Sequence, residues 1–134
     1  MHITEQQFKS RFVKLVMGGG SLLKKKVEDQ HILFVSSVQT LEPSRRYNES
    51  ELNEALIPWS VTFGEDFGLD HVTLRRHLVD EGYLLRDAAG RDYMLNMENP
   101  PATYDPGIAE LDHESMLEEA LKEREERRRR YTQS

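Results

Sequence analysis

Three times within its first 74 residues the chain repeats one local code: an apolar residue, a capping residue, and a second apolar residue four positions after the cap. The sets are Ile3-Thr4-Phe8, Tyr47-Asn48-Leu52 and Leu69-Asp70-Leu74. The cap side chain takes up an orphan N–H of the first helical turn, and the apolar pair staples the entering chain onto the helix. Gln7 and Glu51 follow Thr4 and Asn48 at capping-box spacing. A chain marked in this way starts helices at three defined points, which excludes an all-β fold.

The residues after each start agree with a helix. Phe8, Phe12, Leu15 and Val16 share one helical face, which predicts a helix over 5–17 that Gly18, Gly19 and Gly20 end. After Lys24, Lys25 and Lys26 comes an apolar stretch from Val27 to Leu41. Val27, Phe34, Val38 and Leu41 fit a helical stripe, although Ile32 to Val35 also reads as a buried strand; a helix ending before Pro43 is the favoured reading. Leu52, Ala55, Leu56 and Trp59 form the apolar face of the helix from Asn48, with Pro58 expected to end or bend it and a loop expected over 60–68. Asp70 opens a helix whose Leu74, Leu78 and Val79 face the core and whose Gly82 is a left-handed C-cap. That register turns Thr73, Arg76, His77 and Asp80 to solvent and sets Arg75 at the core edge.

Two short apolar segments, 83–86 and 91–95, flank an Asp/Gly turn over 87–90 and predict a β-hairpin. Pro100, Pro101, Pro106 and Gly107 mark residues 98–111 as a Pro-containing linker. From Asp112 the chain reads as a charged helix with Glu-to-base pairs at i, i+4: Glu118–Lys122, Glu123–Arg127, Glu125–Arg129 and Glu126–Arg130. Only Met116, Leu117, Ala120 and Leu121 give it an apolar strip, so it is expected to fray or to dock on another subunit. The organisation expected is an N-terminal helix and glycine hinge over 1–20, one domain over 21–97, the linker, and a charged C-terminal helix over 112–134.

Helix, helix, helix and hairpin is the element order of a winged helix-turn-helix. The expected fold class is therefore α+β, a mostly helical winged helix-turn-helix with a C-terminal β-hairpin wing, an extra N-terminal helix and a C-terminal helical tail. The residues add a likeness. Stretch 41–54 (LEPSRRYNESELNE) and stretch 70–84 (DHVTLRRHLVDEGYL), followed by Arg86-Asp87 and Gly90-Arg91-Asp92-Tyr93, resemble the bacterial domain-of-unknown-function family 2087. That family's pattern is Y-x-E-x-E-V-N, then T-L-R-R-x-L-V-D-x-G-x-L-x-R, then a G-x-x-Y hairpin; Leu52 stands where the pattern has Val. The resemblance runs over roughly residues 20 to 95. It implies a winged-helix domain, found alone or attached to helix-turn-helix regulators and linked with transcription.

Chemistry is bounded by what the chain holds. With no cysteine there are no disulfides, thiolate metal sites or thiol catalysis, and a reducing cytoplasm is the expected compartment. The five histidines lack metal-pair spacing, and no nucleophile-and-base motif stands in the sequence, so a non-enzymatic protein without metal or cofactor is expected. No apolar run has membrane-span length, so no membrane partner is expected.

Double-stranded DNA is the partner this reading favours. Arg76 would enter a major groove or grip phosphate, with Thr73 and His77 beside it and Arg91 on the wing. Lys24, Lys25, Lys26, Arg45 and Arg46 would add salt-sensitive phosphate contacts. Arg75 and Asn53 are read as structural: Arg75 with its head on Glu51 or Asp80, Asn53 bonding a neighbouring loop backbone. Charge sets the alternative. Residues 47–98 hold four arginines against eleven acids, net −7, whereas residues 1–46 are net +4. An acidic middle favours a protein-interaction or oligomerisation module on the same scaffold, a homodimer included, engaged through the N-terminal and C-terminal helices.

Overall fold

The computed structural model describes residues 1–133, which form an α+β structure dominated by helices. Strand β1 (His2–Ile3) leads into α1 (Glu5–Gly18), where Thr4 and Gln7 exchange both bonds of the capping box. Helix α2 spans Val27–Val38, strand β2 Tyr47–Asn48 and helix α3 Glu49–Trp59; Asn48 and Glu51 close a second capping box. Helix α4 (His71–Glu81) starts on the Asp70 side chain and stops at Gly82, whose φ of 95° only glycine adopts cheaply. Strands β3 (Leu84–Arg86) and β4 (Asp92–Leu95) form the hairpin. Then come β5 (Thr103–Tyr104), the short α5 (Gly107–Glu110) and α6 (His113–Gln133).

The run Ile32–Val35 is helical. It looks strand-like because α2 is buried on nearly every side, from His31 through Val38, between the other helices and the hairpin. Helix α2 ends at Val38, before Pro43 as expected. The α-helix stops at Trp59, one residue past Pro58, but no loop opens there. The chain runs on through a π-turn over 60–64 and a 3₁₀ turn over 65–67, which bury Phe63 and Phe67. Two aromatic rings that need cover keep the segment wound, and Gly64 permits the tight approach: a Cβ there would stand 2.5 Å from the Leu69 carbonyl oxygen.

The main sheet has strand order β2-β4-β3, all antiparallel, with Tyr47 opposite Tyr93 and Leu84 opposite Leu95. The third strand, β2, has no counterpart in the sequence reading; two residues carry no readable alternation. The stretch 98–111, expected as an irregular linker, holds β5 and α5 and buries Ala102 and Ile108. Strand β5 pairs in parallel with β1, so the chain's beginning is tied to residues about a hundred positions away. Helix α1 is part of the core: Phe8 and Phe12 are fully buried, stacked at 5.0 Å, and covered by the start of α6. The C-terminal helix thus docks on its own domain through His113, Met116 and Leu117, while residues 121–133 are exposed. Of its four expected i, i+4 pairs, Glu125–Arg129 is formed, at 3.8 Å.

Candidate nucleic-acid interface

Helix α4 and the hairpin enclose a cleft of about 230 Å³, lined by Glu49, Val72, Arg75, Arg76, Val79, Asp80, Arg86 and Tyr93. The cap at Asp70 and the burial of Leu74 and Leu78 set the rotation of α4. That rotation turns Val72, Arg75, Arg76, Val79 and Asp80 toward the hairpin. Two guanidinium groups flank the buried Tyr93 ring, Arg75 at 5.9 Å and Arg86 at 5.6 Å from its centre.

Arg75 is structural, in agreement with the sequence, but with other partners. Its guanidinium donates to Asn53 Oδ1 at 2.6 Å and reaches Glu49 Oε1 at 3.1 Å. Glu51 is taken, because its carboxylate serves the Asn48 cap and Arg45. Those bonds, the Asn48 backbone first, hold the Glu51 carboxyl below its ordinary range. Asn53 correspondingly bonds a side chain, not loop backbone. Arg86 donates to the Gly90 carbonyl at 3.3 Å. Arg76, exposed at the cleft mouth, has no ion-pair partner among the described residues.

The other predicted contacts are scattered. Thr73 is half-buried in the first turn of α4, its N–H donating to Asp70. His77, expected to face solvent, lies 6.1 Å from the Phe34 ring and turns toward α2. Arg91 sits exposed at the hairpin turn, where its backbone N–H donates to Asp87. Arg46 borders a separate depression on the hairpin with Leu85, Asp87 and Met94. Arg45 is occupied by Glu51, Glu42 and the Tyr47 ring, 4.4 Å away. Lys25 turns inward, its Nζ donating to the Gly19 carbonyl and lying over Phe67. Only Lys24 and Lys26 of that block are exposed, and neither lines the cleft. The signal for the cleft's remaining residues, Glu49 and Tyr93, is the Tyr47–Tyr93 strand pairing, invisible in a two-residue strand.

Two histidines that the sequence leaves solvated or without partners are wired into the core. His113 packs against the stacked Phe8 and Phe12 rings, at 4.7 and 5.4 Å. Its Nε2 donates to the Ile108 carbonyl at 3.0 Å, so in the neutral ring Nδ1 accepts from the Ser36 hydroxyl at 2.8 Å; Ser36 in turn accepts from Trp59 Nε1. His31 Nδ1 lies 2.7 Å from the Tyr83 hydroxyl, and burial raises the pKa of that phenol. A third histidine, His2, joins Thr103 Oγ1 and Asp105 Oδ1 in a hydroxyl–imidazole–carboxylate chain with both contacts at 2.8 Å. Asp105 also accepts the Glu5 N–H at the start of α1, so this cluster clasps the β1–β5 pair to the first helix. Among the described residues no cluster has the composition of a metal site, and no helix is long and apolar enough to cross a membrane.

The buried imidazoles set a pH dependence. Burial holds both His31 and His113 below the ordinary histidine value of 6.5. The unfolded chain then binds protons that the folded chain refuses, so stability falls as pH drops below about 6.5. Asp70, Asp105 and Asp112 are held low, mainly by backbone N–H donors, and their contribution is present above about 3.9 and lost as pH falls through the folded values. Melting temperatures measured from pH 8 to 3 are expected to hold level above 7, fall from about 6.5, and fall again below about 4. A level curve between pH 7 and 5 would contradict the burial of the two imidazoles.

A family model, described as an uncharacterized protein conserved in bacteria and numbered 2087 among domains of unknown function, matches residues 22–95. No curated protein and no solved structure matches the chain.

Proposed function

The chain belongs to that bacterial family, domain of unknown function 2087, and from this premise we propose that it is a non-enzymatic winged-helix protein that binds double-stranded DNA in a transcription-linked role in the bacterial cytoplasm. The observation that carries the reading is the cleft between α4 and the hairpin, with Arg76, which has no ion pair among the described residues, at its mouth and Arg86 beside it. The chain order helix, strand, two helices and hairpin, with β4 central in the sheet, supports a wing beside a reading helix. Arg75, anchored on Asn53 and Glu49, stiffens α4 against the helix before it.

Phosphate contacts would supply most of the affinity, because α4 offers few base-reading groups. Fluorescence anisotropy with mixed genomic fragments is expected to show binding at low salt that weakens at about −0.9 in log–log slope per neutralised phosphate. Arg76→Ala flattens that slope by about one phosphate's worth without lowering the melting temperature. Glu49 and Asp80 line the same cleft, and Lys25 is turned away, so the basic surface is broken. Those observations favour a second reading, a protein-interaction module. A folded sample that binds no fragment at low salt would reject DNA and leave that reading.

A further inference from the structure

We infer that the cleft between α4 and the hairpin seats a single phosphate ester, gripped from one wall by Arg76 and from the other by Arg86. This rests on the reading of the cleft as a nucleic-acid contact and names the group that enters it. Charge is the first support. Residues 47–98 are net −7 and hold four arginines, yet three of the four, Arg75, Arg76 and Arg86, line this one cleft. Against them stand two carboxylates, Glu49 and Asp80, so the lining keeps one positive charge in excess within an acidic chain. A cavity of about 230 Å³ lies below the range of roughly 300–1,000 Å³ that encloses a whole small molecule. It has room for a phosphate group and the carbon atoms esterified to it, with the rest of the ligand outside.

Geometry is the second. Arg75 is spent on Asn53 and Glu49, which leaves it as a fixed, mostly covered charge in the wall. Arg86 is held in place with most of its donors free. One Nη2 N–H goes to the Gly90 carbonyl, and the guanidinium lies 5.6 Å from the Tyr93 ring centre. The missing side chain of Gly90 makes room for that head group: a Cβ there would stand 2.8 Å from Arg86 Nη2. Arg76 forms no hydrogen bond or ion pair among the described residues, not even with Asp80 one turn along. A guanidinium offers parallel N–H donors that match two oxygens of one anion. Two such forks on opposite walls need more acceptor positions than the two coplanar oxygens of a carboxylate provide, and a tetrahedral phosphate supplies them. Holding Arg86 in advance lowers the ordering cost of binding.

The seat is tested by NMR titration of the full chain at constant ionic strength with inorganic phosphate, dimethyl phosphate and acetate in turn. The two phosphates are expected to shift the amides of α4 and the hairpin saturably, and acetate to bind at least about tenfold more weakly. Arg76→Ala and Arg86→Ala should each weaken dimethyl phosphate binding about tenfold with little change in melting temperature. Arg76→Lys, which keeps the charge and loses the fork, should weaken it about threefold. Acetate binding as well as phosphate, no saturable shift, or shifts that both alanine variants leave intact would each overturn the inference. Two further titrations separate the sources of the phosphate. A short DNA duplex that competes with dimethyl phosphate identifies a backbone phosphate. Adenosine 5′-monophosphate filling the cleft of a chain that binds no duplex identifies a free nucleotide, which keeps the seat and rejects DNA. Duplex binding that leaves the cleft amides unmoved keeps DNA and rejects the seat.

Discussion

Replacing Phe12 with alanine is expected to cost about 3–5 kcal/mol, much of the stability of a domain this size. Phe12 is fully buried and stands where three parts of the chain meet. It stacks on Phe8 at 5.0 Å, meets Phe63 edge-on at 5.2 Å, and lies 5.4 Å from the His113 ring. Alanine removes the ring from all three contacts, and close-packed neighbours cannot collapse far enough to refill the space. Urea denaturation of the variant, with wild type beside it, measures the loss. A cost below about 1 kcal/mol would mean that α1 is an appendage joined by a glycine hinge, as composition alone suggests.

A chain ending at Asp112 is expected to lose about 2–4 kcal/mol, whereas one ending at Lys122 should stay within about 0.5 kcal/mol of the full protein. The first truncation removes His113 from its seat against Phe8 and Phe12 and takes away Met116 and Leu117. Uncovering on the order of 100 Å² of apolar surface at about 25 cal/mol per Å² accounts for most of that figure. The Ser36 hydroxyl also loses its imidazole acceptor. The second truncation removes only residues that touch little of the domain. Thermal melts of the two chains read the difference directly; equal melting temperatures would show that the start of α6 does not dock.

Arg75 shows how far local spacing carries. Its place at the core edge follows from the helical register that Asp70, Leu74 and Leu78 impose, and its structural role was legible. Its partner was not. Glu51 and Glu49 are equally acidic and two residues apart, but the Asn48 capping box engages Glu51 and leaves Glu49 for Arg75. The cleft was legible by halves for the same reason. Arg75 and Arg76 announce one wall in sequence, while Tyr93 and Glu49 arrive through the pairing of β2 with β4.

The amino-acid sequence by itself determined where α1, α3 and α4 begin, because a cap and its staple act within about five residues of one another. It determined the stop at Gly82 and the inward face of α4 in the same local way. Tertiary structure alone decided that α2 is wrapped on nearly all sides, that residues 60–67 stay wound, and that β1 meets β5. It alone seated His113 on Phe8 and Phe12. The interactions behind those outcomes join residues tens to a hundred positions apart: β1 with β5, Ser36 with His113, Tyr47 with Tyr93. A two-residue strand has no periodicity, and a buried imidazole looks like any other histidine until the chain has closed around it.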